Sequence, residues 1–375
     1  MAAGDGLGEP SAVLGAGVSA ARILGIGTAA PAGELDAAAS LRFARTLSPE
    51  TELSRLRELY EAAGVSRRGS VLIDGDGRQD LYREDAGRGP GTAARLALYY
   101  DAACGLAAES ATRALARAEM RASAVTHVVT VSCTGAQSPG VDHGLIERLG
   151  LSRDVSRAHI GFMGCHGAIN GLAVASAIVR AEPGAVALVA CVELCSLHYH
   201  VRGSWDQQVA NAIFADGAAC AVVGGGDRGP ALAGFASRVF PGTAGLMRWA
   251  VGDRGFEMGL SARVPGVLRR SVGPWMDEWL GRAGLARSGI AGWAVHPGGR
   301  DILEGVRQGL ELPEASIEVS RRVLAEHGNM SSGTVLWVLD AMLGAGARGR
   351  IVVMSFGPGL SGEAALVEVG PAGAA

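Results

Sequence analysis

Cys165 is the residue whose type and surroundings are best suited to chemistry. It stands in Gly161-Phe-Met-Gly-Cys165-His-Gly-Ala-Ile-Asn-Gly-Leu172, between a glycine-rich approach and a run of small apolar residues. The run predicts a helix that is buried on all sides. Cys165 would then lie at the helix N-terminus, where unpaired N–H groups and the helix dipole favour a thiolate. The stretch predicts a nucleophile, and the alternative is an inert buried cysteine.

A nucleophilic cysteine needs a proton acceptor and donors that stabilise an oxyanion. His296 lies in Val295-His-Pro-Gly-Gly299, where a strand stops and glycines open a loop. Asn329 lies in His327-Gly-Asn-Met-Ser-Ser332, just before an apolar helix. Alone, either residue would usually be structural, but together with Cys165 they form a candidate catalytic set. His166 is also a possible base, but neighbours on a helix point about 100° apart, which favours His296.

The elements that must position these residues alternate between strands and helices. The predicted strands are Arg22–Pro31, His127–Ser132, Ala185–Val192, Ala218–Val223, Trp293–His296 and Ile351–Ser355. The predicted helices are residues 50–68, Thr92–Glu119, the helix after Cys165, residues 300–310 and Val335–Gly344. This alternation indicates an α/β layered fold around mostly parallel sheets, with functional groups at strand ends between the two halves.

Composition excludes several classes of function. The 375 residues carry a net charge of −3, which argues against a nucleic-acid partner. The sequence contains no lysine, so a Walker-type phosphate loop, a pyridoxal Schiff base and a lysine-dependent aldolase are excluded. The sequence has no uninterrupted apolar segment long enough to predict a membrane span. Six cysteines in so long a chain are expected to be reduced. We therefore expect a cytoplasmic protein.

The order and spacing of Cys165, His296 and Asn329 resemble those of the thiolase-fold condensing enzymes. More narrowly, the chain resembles the type III polyketide synthases, the chalcone synthase-like family, from Gly25-Ile-Gly-Thr-Ala-Ala-Pro31 to Gly357-Pro-Gly-Leu-Ser-Gly-Glu363. Gly-Asn-Met-Ser-Ser, Phe-Gly-Pro-Gly and Phe214-Ala-Asp-Gly-Ala218 are typical of that family. Ketoacyl synthase III relatives lack Pro-Gly-Gly after the histidine, and thiolases have a second cysteine where Asn329 stands.

The resemblance implies a duplicated thiolase-like fold with five α-β-α-β-α layers. Residues 1–20 would be a flexible lead-in, residues 21–226 an N-terminal half with Cys165, and residues 227–375 a C-terminal half with His296 and Asn329. Gly224–Pro230 would link the halves. The family also implies a homodimer, in which Gln137-Ser138-Pro139-Gly140 forms a cis-proline turn and Ser138 lies near the partner subunit's active site.

The implied reaction begins when Cys165 takes an acyl group from an acyl-CoA starter. His296 would pair with the thiolate and, with Asn329, hydrogen-bond the malonyl-CoA carbonyl during decarboxylation. The resulting enolate would attack the acyl-Cys165 carbonyl in a Claisen condensation, and no bound cofactor is implied. The helix terminus and a histidinium are expected to lower the cysteine pKa.

Departures from the family pattern concern the cavity and the CoA tunnel. Phe214 corresponds to a gatekeeping phenylalanine, Met258 replaces a second one, and Trp249 stands where many relatives have a small residue. Other residues aligned with the cavity wall are Thr134, Cys195, His198 and Ser331. We therefore expect a small or narrow starter and few extensions. At the plant CoA-contacting positions Arg55 keeps the charge, whereas Glu58 and Ala62 do not; possible substitutes are Arg57, Arg67, Arg68 and Arg300.

Other functions use some of the same residues. A ketoacyl synthase III-like acyltransferase would make a single condensation. A cysteine hydrolase would use Cys165, His296 and Asn329 in papain-like order, but would give the Pro-Gly-Gly and Gly-Pro-Gly loops no role. Zinc could bind Cys191, Cys195, His198 and His200 by residue type, although no spaced second pair completes the motif. A non-catalytic scaffold would not need a complete catalytic set.

Overall fold

The computed structural model of the chain describes residues 20–73, 80–83 and 88–370. The predicted lead-in at residues 1–20 lies outside the described residues, apart from Ala20. The strands, in chain order, are β1 Arg22–Ala29, β2 Glu34–Asp36, β3 Arg67–Gly69, β4 His127–Ser132, β5 Ser156–Gly161, β6 Val186–Leu194, β7 Asp216–Gly224, β8 Ala231–Val239, β9 Met247–Gly252, β10 Gly255–Leu260, β11 Gly292–Val295, β12 Gly349–Gly357 and β13 Ser361–Val369. The helices are α1 Ala37–Leu47, α2 Leu53–Ala63, α3 Thr92–Ala97, α4 Tyr99–Arg117, α5 Val141–Leu149, α6 Gly167–Ala181, α7 Trp205–Ile213, α8 Val264–Arg282, α9 Arg300–Gly309, α10 Glu318–His327 and α11 Thr334–Gly344.

Nine strands form one mixed sheet in the order β11-β12-β13-β8-β1-β7-β6-β4-β5. The predicted α/β class is confirmed, but the expected excess of parallel pairs is wrong for the described strands. Only three of the eight pairings are parallel, namely β4 with β5, β4 with β6, and β11 with β12. The connection from β12 to β13 shows one cause, because so short a turn can only return the chain antiparallel.

Three hydrophobic clusters divide the fold into layers. The central cluster joins apolar side chains of α6 and α11 to both halves of the sheet, as with Leu172, Val189 and Val353. A second cluster packs α4 on the outer face of the β1, β4, β6 and β7 half. A third packs α8 and α9 on the outer face of the β8, β11, β12 and β13 half. The packing is therefore the five-layered, thiolase-like arrangement that the resemblance implied.

Three predicted helices differ in detail. The helix expected over residues 50–68 ends at Ala63, because Gly64 adopts a left-handed conformation that stops it. The helix expected from Thr92 breaks at Leu98 into α3 and α4. The helix after Cys165 is not buried on all sides, since Val174 on α6 is 37% exposed.

Candidate active site

Cys165 lies in a 3₁₀ turn, Gly164–His166, that leads directly into α6. The turn requires glycine at position 164, where φ is +78° and an added Cβ would lie 2.3 Å from Cδ of Pro358. The Gly164 N–H donates to the Cys133 sulfur at 2.9 Å, and the Ser355 hydroxyl donates to the Cys165 carbonyl at 2.8 Å. The nucleophile candidate is thus fixed between the end of β4 and the end of β12.

His296 follows β11, and its N–H donates to the Met354 carbonyl at 2.8 Å. Because Met354 and Ser355 are adjacent in β12, one strand positions both His296 and Cys165. The His296 side chain is 1% exposed. Neither of its ring nitrogens has a hydrogen-bond partner among the residues that the structure describes. Since buried polar groups are normally paired, this imidazole is available to a bound group.

Asn329 lies between α10 and α11. Its backbone forms hydrogen bonds with the two residues that flank Phe214 in the chain. Its N–H donates to the Ile213 carbonyl at 3.0 Å, and its carbonyl accepts from the Ala215 N–H at 2.9 Å. The side-chain oxygen accepts from the Ser331 N–H at 2.8 Å. This fixes the amide orientation and leaves the NH₂ group to hydrogen-bond Cys165. Asn329 can therefore act only as a donor at the sulfur.

The protonation of the site differs from expectation. Burial raises the pKa of Cys165 to about 12, against the opposing effect of hydrogen bonds from Ser331 and Asn329. Burial, with a smaller contribution from His166, lowers the pKa of His296 to about 3. Burial thus shifts both groups towards their neutral forms, which opposes the expected lowering of the cysteine pKa. Desolvation disfavours both charged forms.

Cys165 lines a cavity of about 30 Å³. Its lining includes six residues expected in the pocket: Phe214, Met258, Trp249, Thr134, Cys195 and Ser331. Trp249 and Met258 lie directly opposite each other in the β9–β10 hairpin, which covers the cavity. The Trp249 indole N–H donates to the Cys133 carbonyl at 2.8 Å. The indole is thereby held across this cavity.

Two histidines lie elsewhere than expected. His198 is absent from the cavity lining. Its Nε2–H donates to the Thr134 carbonyl at 2.7 Å, and its Nδ1 accepts from the Phe256 N–H. It therefore supports the wall from behind, with its ring stacked 4.1 Å from that of Phe256. His200 bonds the Phe256 carbonyl at 3.0 Å. Both histidines are thus engaged by backbone groups, which contradicts the zinc hypothesis.

His166 is also engaged, although it follows the nucleophile directly. One ring nitrogen lies 2.8 Å from the Asn170 side-chain oxygen and the other 2.8 Å from the Ser361 hydroxyl. Its role here is to join α6 to β13, and neither nitrogen is left for proton transfer. This contrast with His296 supports the preference for His296 as the base.

Sequence analysis missed several residues at the site. Glu193 is fully buried at the end of β6, where it accepts hydrogen bonds from Thr134, Ser332 and the Cys133 N–H. The available signal was that Glu193 directly follows the predicted apolar strand Ala185–Val192 in the sequence. A carboxylate buried at such a place needs several hydrogen-bond donors. Three further residues that line the cavity were also missed: Cys133, Met247 and Pro358. Pro358 lies in the Phe-Gly-Pro-Gly motif already singled out, and Cys133 directly follows β4.

A second cleft, of about 320 Å³, lies between α2, α7 and the start of α9. Arg300 lines it, and Arg55 contacts Trp205 at its rim. Ile213 and Leu260 line the cleft, while Phe214 and Met258 line the small cavity, so these segments separate the two spaces. The cleft is the larger space and opens towards the surface, as a route for a substrate would.

The remaining arginines do not line this cleft. Arg68 is 2% exposed and donates to the Asn211 and Phe214 carbonyls at 2.6 and 3.1 Å. Its expected contact with CoA is therefore wrong, because the guanidinium is buried under the gate segment. Arg57 is exposed on α2 and Arg67 is exposed on β3, and neither is part of the cleft lining.

Comparison with known proteins agrees with this architecture. Residues 12–227 match the model of the N-terminal domain of chalcone and stilbene synthases, and residues 232–370 match the model of their C-terminal domain. A solved structure of PKS-I from the brown alga Ectocarpus siliculosus superposes with a TM-score of 0.88 at 29% identity, covering 94% of this chain and 99% of that one.

Curated bacterial relatives extend the likeness. The 1,3,6,8-tetrahydroxynaphthalene synthase of Streptomyces peucetius subsp. caesius is 33% identical over 332 residues, covering 86% of this chain and 85% of the relative. The alpha-pyrone synthesis polyketide synthase-like Pks18 of Mycobacterium tuberculosis is 33% identical over 328 residues, covering 84% and 82%.

The fold and site define a thiolase-fold condensing enzyme. The chain belongs to the chalcone and stilbene synthase family and is a type III polyketide synthase, an acyltransferase. Enzymes of this class use CoA thioesters and are generally independent of cofactors. Within the described ranges, every helix is too short or too polar to cross a membrane.

Proposed function

We propose that the enzyme loads an acyl-CoA starter on Cys165 and extends it with malonyl-CoA. The thiol attacks the thioester carbonyl of the starter while its proton moves to neutral His296, and CoA leaves as a thiol. Because burial disfavours the charged form of each group, the thiol proton moves to His296 as the attack takes place in this proposal.

Extension uses the same three residues. Malonyl-CoA loses carbon dioxide, and His296 and Asn329 hydrogen-bond the thioester oxygen of the enolate that remains. The enolate carbon attacks the acyl-Cys165 carbonyl, a carbon–carbon bond forms, and the cysteine leaves as a thiolate. The observation that carries this proposal is the buried His296 imidazole, both of whose nitrogens lack partners among the described residues. No step requires a bound cofactor, because the thioester and the lost carboxylate supply the reactivity.

The cleft and the small cavity lie on either side of the segments that carry Phe214 and Met258, which suggests the route of the substrate. The CoA arm occupies the cleft beside Arg300, and the acyl chain reaches Cys165 between Phe214 and Met258. Arg55 lies at the rim, whereas Arg57 and Arg67 remain candidates only for outer contacts. The small cavity supports a small or narrow starter and few extensions, since a pocket discriminates by the volume it leaves.

We also propose a two-fold homodimer. The dimer surface comprises β5, Phe162, Met163 and Val174; β5 is the outermost strand of the sheet, and the three apolar side chains beside it are exposed. Exposed strand edges and apolar patches favour covering by another chain. Ser138 precedes a cis bond to Pro139, and we place it near the partner subunit's cavity. The division into halves at residues 226 and 227 and a cytoplasmic location remain part of the proposal.

The acyl-enzyme provides a direct test. Purified enzyme is incubated with an acyl-CoA starter alone, quenched in acid and digested, and the acyl group is located by mass spectrometry. We expect it on Cys165 and on none of the other five cysteines, each of which is buried. An acyl group on another residue, or none at all, would contradict the proposal. A cysteine hydrolase would instead turn over a peptide or simple ester.

A further inference from the structure

We propose that Trp205 is the platform on which the adenine ring of the CoA thioesters stacks. This inference rests on the proposed function, since it names how the nucleotide end of the substrate is held. Trp205 is the first residue of α7 and belongs to the lining of the 320 Å³ cleft. Its side chain is 39% exposed, although a tryptophan gains most when it is buried.

The indole already holds a cation. The Arg55 guanidinium carbon on α2 lies 4.1 Å from the Trp205 ring centroid, within the range of a cation–π contact. A planar, positively charged group over an aromatic face shows that this face accepts flat, polarisable partners. A purine is such a partner, and the displaced guanidinium would remain close enough to contact the CoA phosphates.

The charges of the cleft indicate that the aromatic face of Trp205 is needed to bind the nucleotide end of CoA. Arg300 lines the cleft, and its guanidinium packs over Gly64 and donates to the Glu61 carbonyl at 3.3 Å. Two carboxylates, Asp206 and Asp301, line the same cleft. Asp206 accepts from the Leu260 N–H at 3.1 Å, which only partly satisfies its charge. Since acids oppose phosphates here, charge alone gives the nucleotide end little affinity.

The walls suit the other end of the substrate. Leu59, Val209 and Ile213 present apolar side chains along the inner part of the cleft, which leads to the gate residue Phe214. A slim pantetheine arm fits such a passage, whereas a nucleotide is too broad and too charged to follow it. The adenine must therefore stay at the rim, which is where Trp205 stands.

A purely structural role for the pair would be to fasten α2 to α7. Binding of adenosine 3′,5′-bisphosphate separates the two roles, because this probe carries the purine and phosphates without a thioester. Calorimetry on the full-length enzyme should show that Trp205→Ala weakens binding about tenfold, the effect of losing one base-stacking contact. Trp205→Phe should retain most of the affinity, since it keeps an aromatic face.

Leu53→Ala is the matched control. Leu53 is 37% exposed and also lies on α2, but it is outside the cleft lining. We expect this variant to bind the probe as the wild type does. The inference is overturned if the wild type does not bind the probe, if Trp205→Ala binds it as tightly as the wild type, or if Leu53→Ala weakens binding equally.

Steady-state kinetics give a second measurement, which would not change if the Arg55–Trp205 contact only held α2 against α7. The ratio of KM for malonyl-CoA to KM for malonyl-pantetheine should rise about tenfold in Trp205→Ala, because only the first substrate carries adenine. Equal changes in both KM values would overturn the inference. If the probe binds in a Trp205-dependent manner but no polyketide forms, the proposed function fails and the nucleotide platform stands.

Discussion

Ser331 shows how the active site controls its nucleophile at the scale of one residue. Its hydroxyl lies 3.7 Å from the Cys165 sulfur, and this contact lowers the pKa of the thiol against the effect of burial. Its φ of +46° is unusual for a residue other than glycine. The hydrogen bond from the Ser331 N–H to the Asn329 side-chain oxygen maintains this conformation. Backbone strain of this kind is held at functional sites because it places a side chain.

We predict that Ser331→Gly shifts the reactivity of Cys165 to higher pH. The change removes the hydroxyl that lowers the pKa of Cys165 but suits the backbone, so this pKa rises further. The measurement is the rate of alkylation by iodoacetamide as a function of pH, with Cys165→Ala as the background control. An unchanged profile, or a shift to lower pH, would refute this role.

The division of labour within the catalytic set gives a second prediction. Cys165→Ala should abolish chain extension but leave decarboxylation of malonyl-CoA measurable, because His296 and Asn329 still bind the thioester oxygen. Release of carbon dioxide and formation of acetyl-CoA are followed side by side with product analysis. His296→Ala is the paired variant and should lose decarboxylation by about a hundredfold or more. Chain extension by Cys165→Ala would show that the nucleophile is another residue.

At the residue scale, the sequence predicted which residues form the catalytic set better than it predicted how they are protonated. Cys165, His296 and Asn329 stand in short glycine-rich motifs that reveal where strands end and loops open. The protonation of Cys165 and His296 depends on how much water the surrounding layers exclude, which no local pattern records. Glu193 was missed for the same reason, since its donors come from segments far apart in the chain.

The β9–β10 hairpin is the element that decides the size of the cavity. It carries Trp249 and Met258 on opposed positions, and its second strand is fastened to α7. The Met258 N–H donates to the Gln207 side chain, and the Leu260 N–H donates to Asp206 at 3.1 Å. Since α7 also begins with Trp205, one helix positions the cavity cover and the rim of the cleft.

We predict that Trp249→Gly widens the set of accepted starters or lengthens the product. Loss of the indole frees its volume and its hydrogen bond to the Cys133 carbonyl, while Cys165 keeps its own contacts. Product profile and melting temperature are measured on the same protein. If Trp249 contributed only packing, the variant would lose about 3 to 5 kcal/mol of stability with an unchanged product spectrum. That result would end the cavity-wall interpretation.

Regular elements were predictable where their hydrophobic period was plain, as in β4, β6 and α11. The hairpin escaped notice because its strands are short, partly exposed and rich in glycine, with no alternating pattern. The end of α2 was misplaced because Gly64 stops the helix while arginines continue the polar pattern to Arg68. Tertiary contacts, not local preference, bury Arg68 in β3.

At the scale of the whole molecule, assembly gives a fourth prediction. Val174→Glu should raise the dimer dissociation constant at least about tenfold, because a two-fold axis brings both copies of the new charge into one interface. Light scattering over a range of protein concentrations measures the change. Val239→Glu is the control, since Val239 is also exposed but lies outside the dimer surface. A wild-type monomer, or equal effects of both variants, would contradict the assignment.

The layered architecture followed from the alternation of strands and helices, because each element must bury one face against another layer. The order and direction of the strands did not follow. Pairings such as β1 with β7 and β8 with β13 join segments far apart in the chain, and no local signal specifies them.

The most direct test of the central claim is product analysis of the purified enzyme. It is incubated with malonyl-CoA and a panel of acyl-CoA starters of increasing length, and products are identified by mass spectrometry. We predict condensation products that contain one starter unit and few malonyl-derived two-carbon units, with short starters preferred over long ones. Absence of any condensation product across the panel, with hydrolysis of the thioesters alone, would contradict the account.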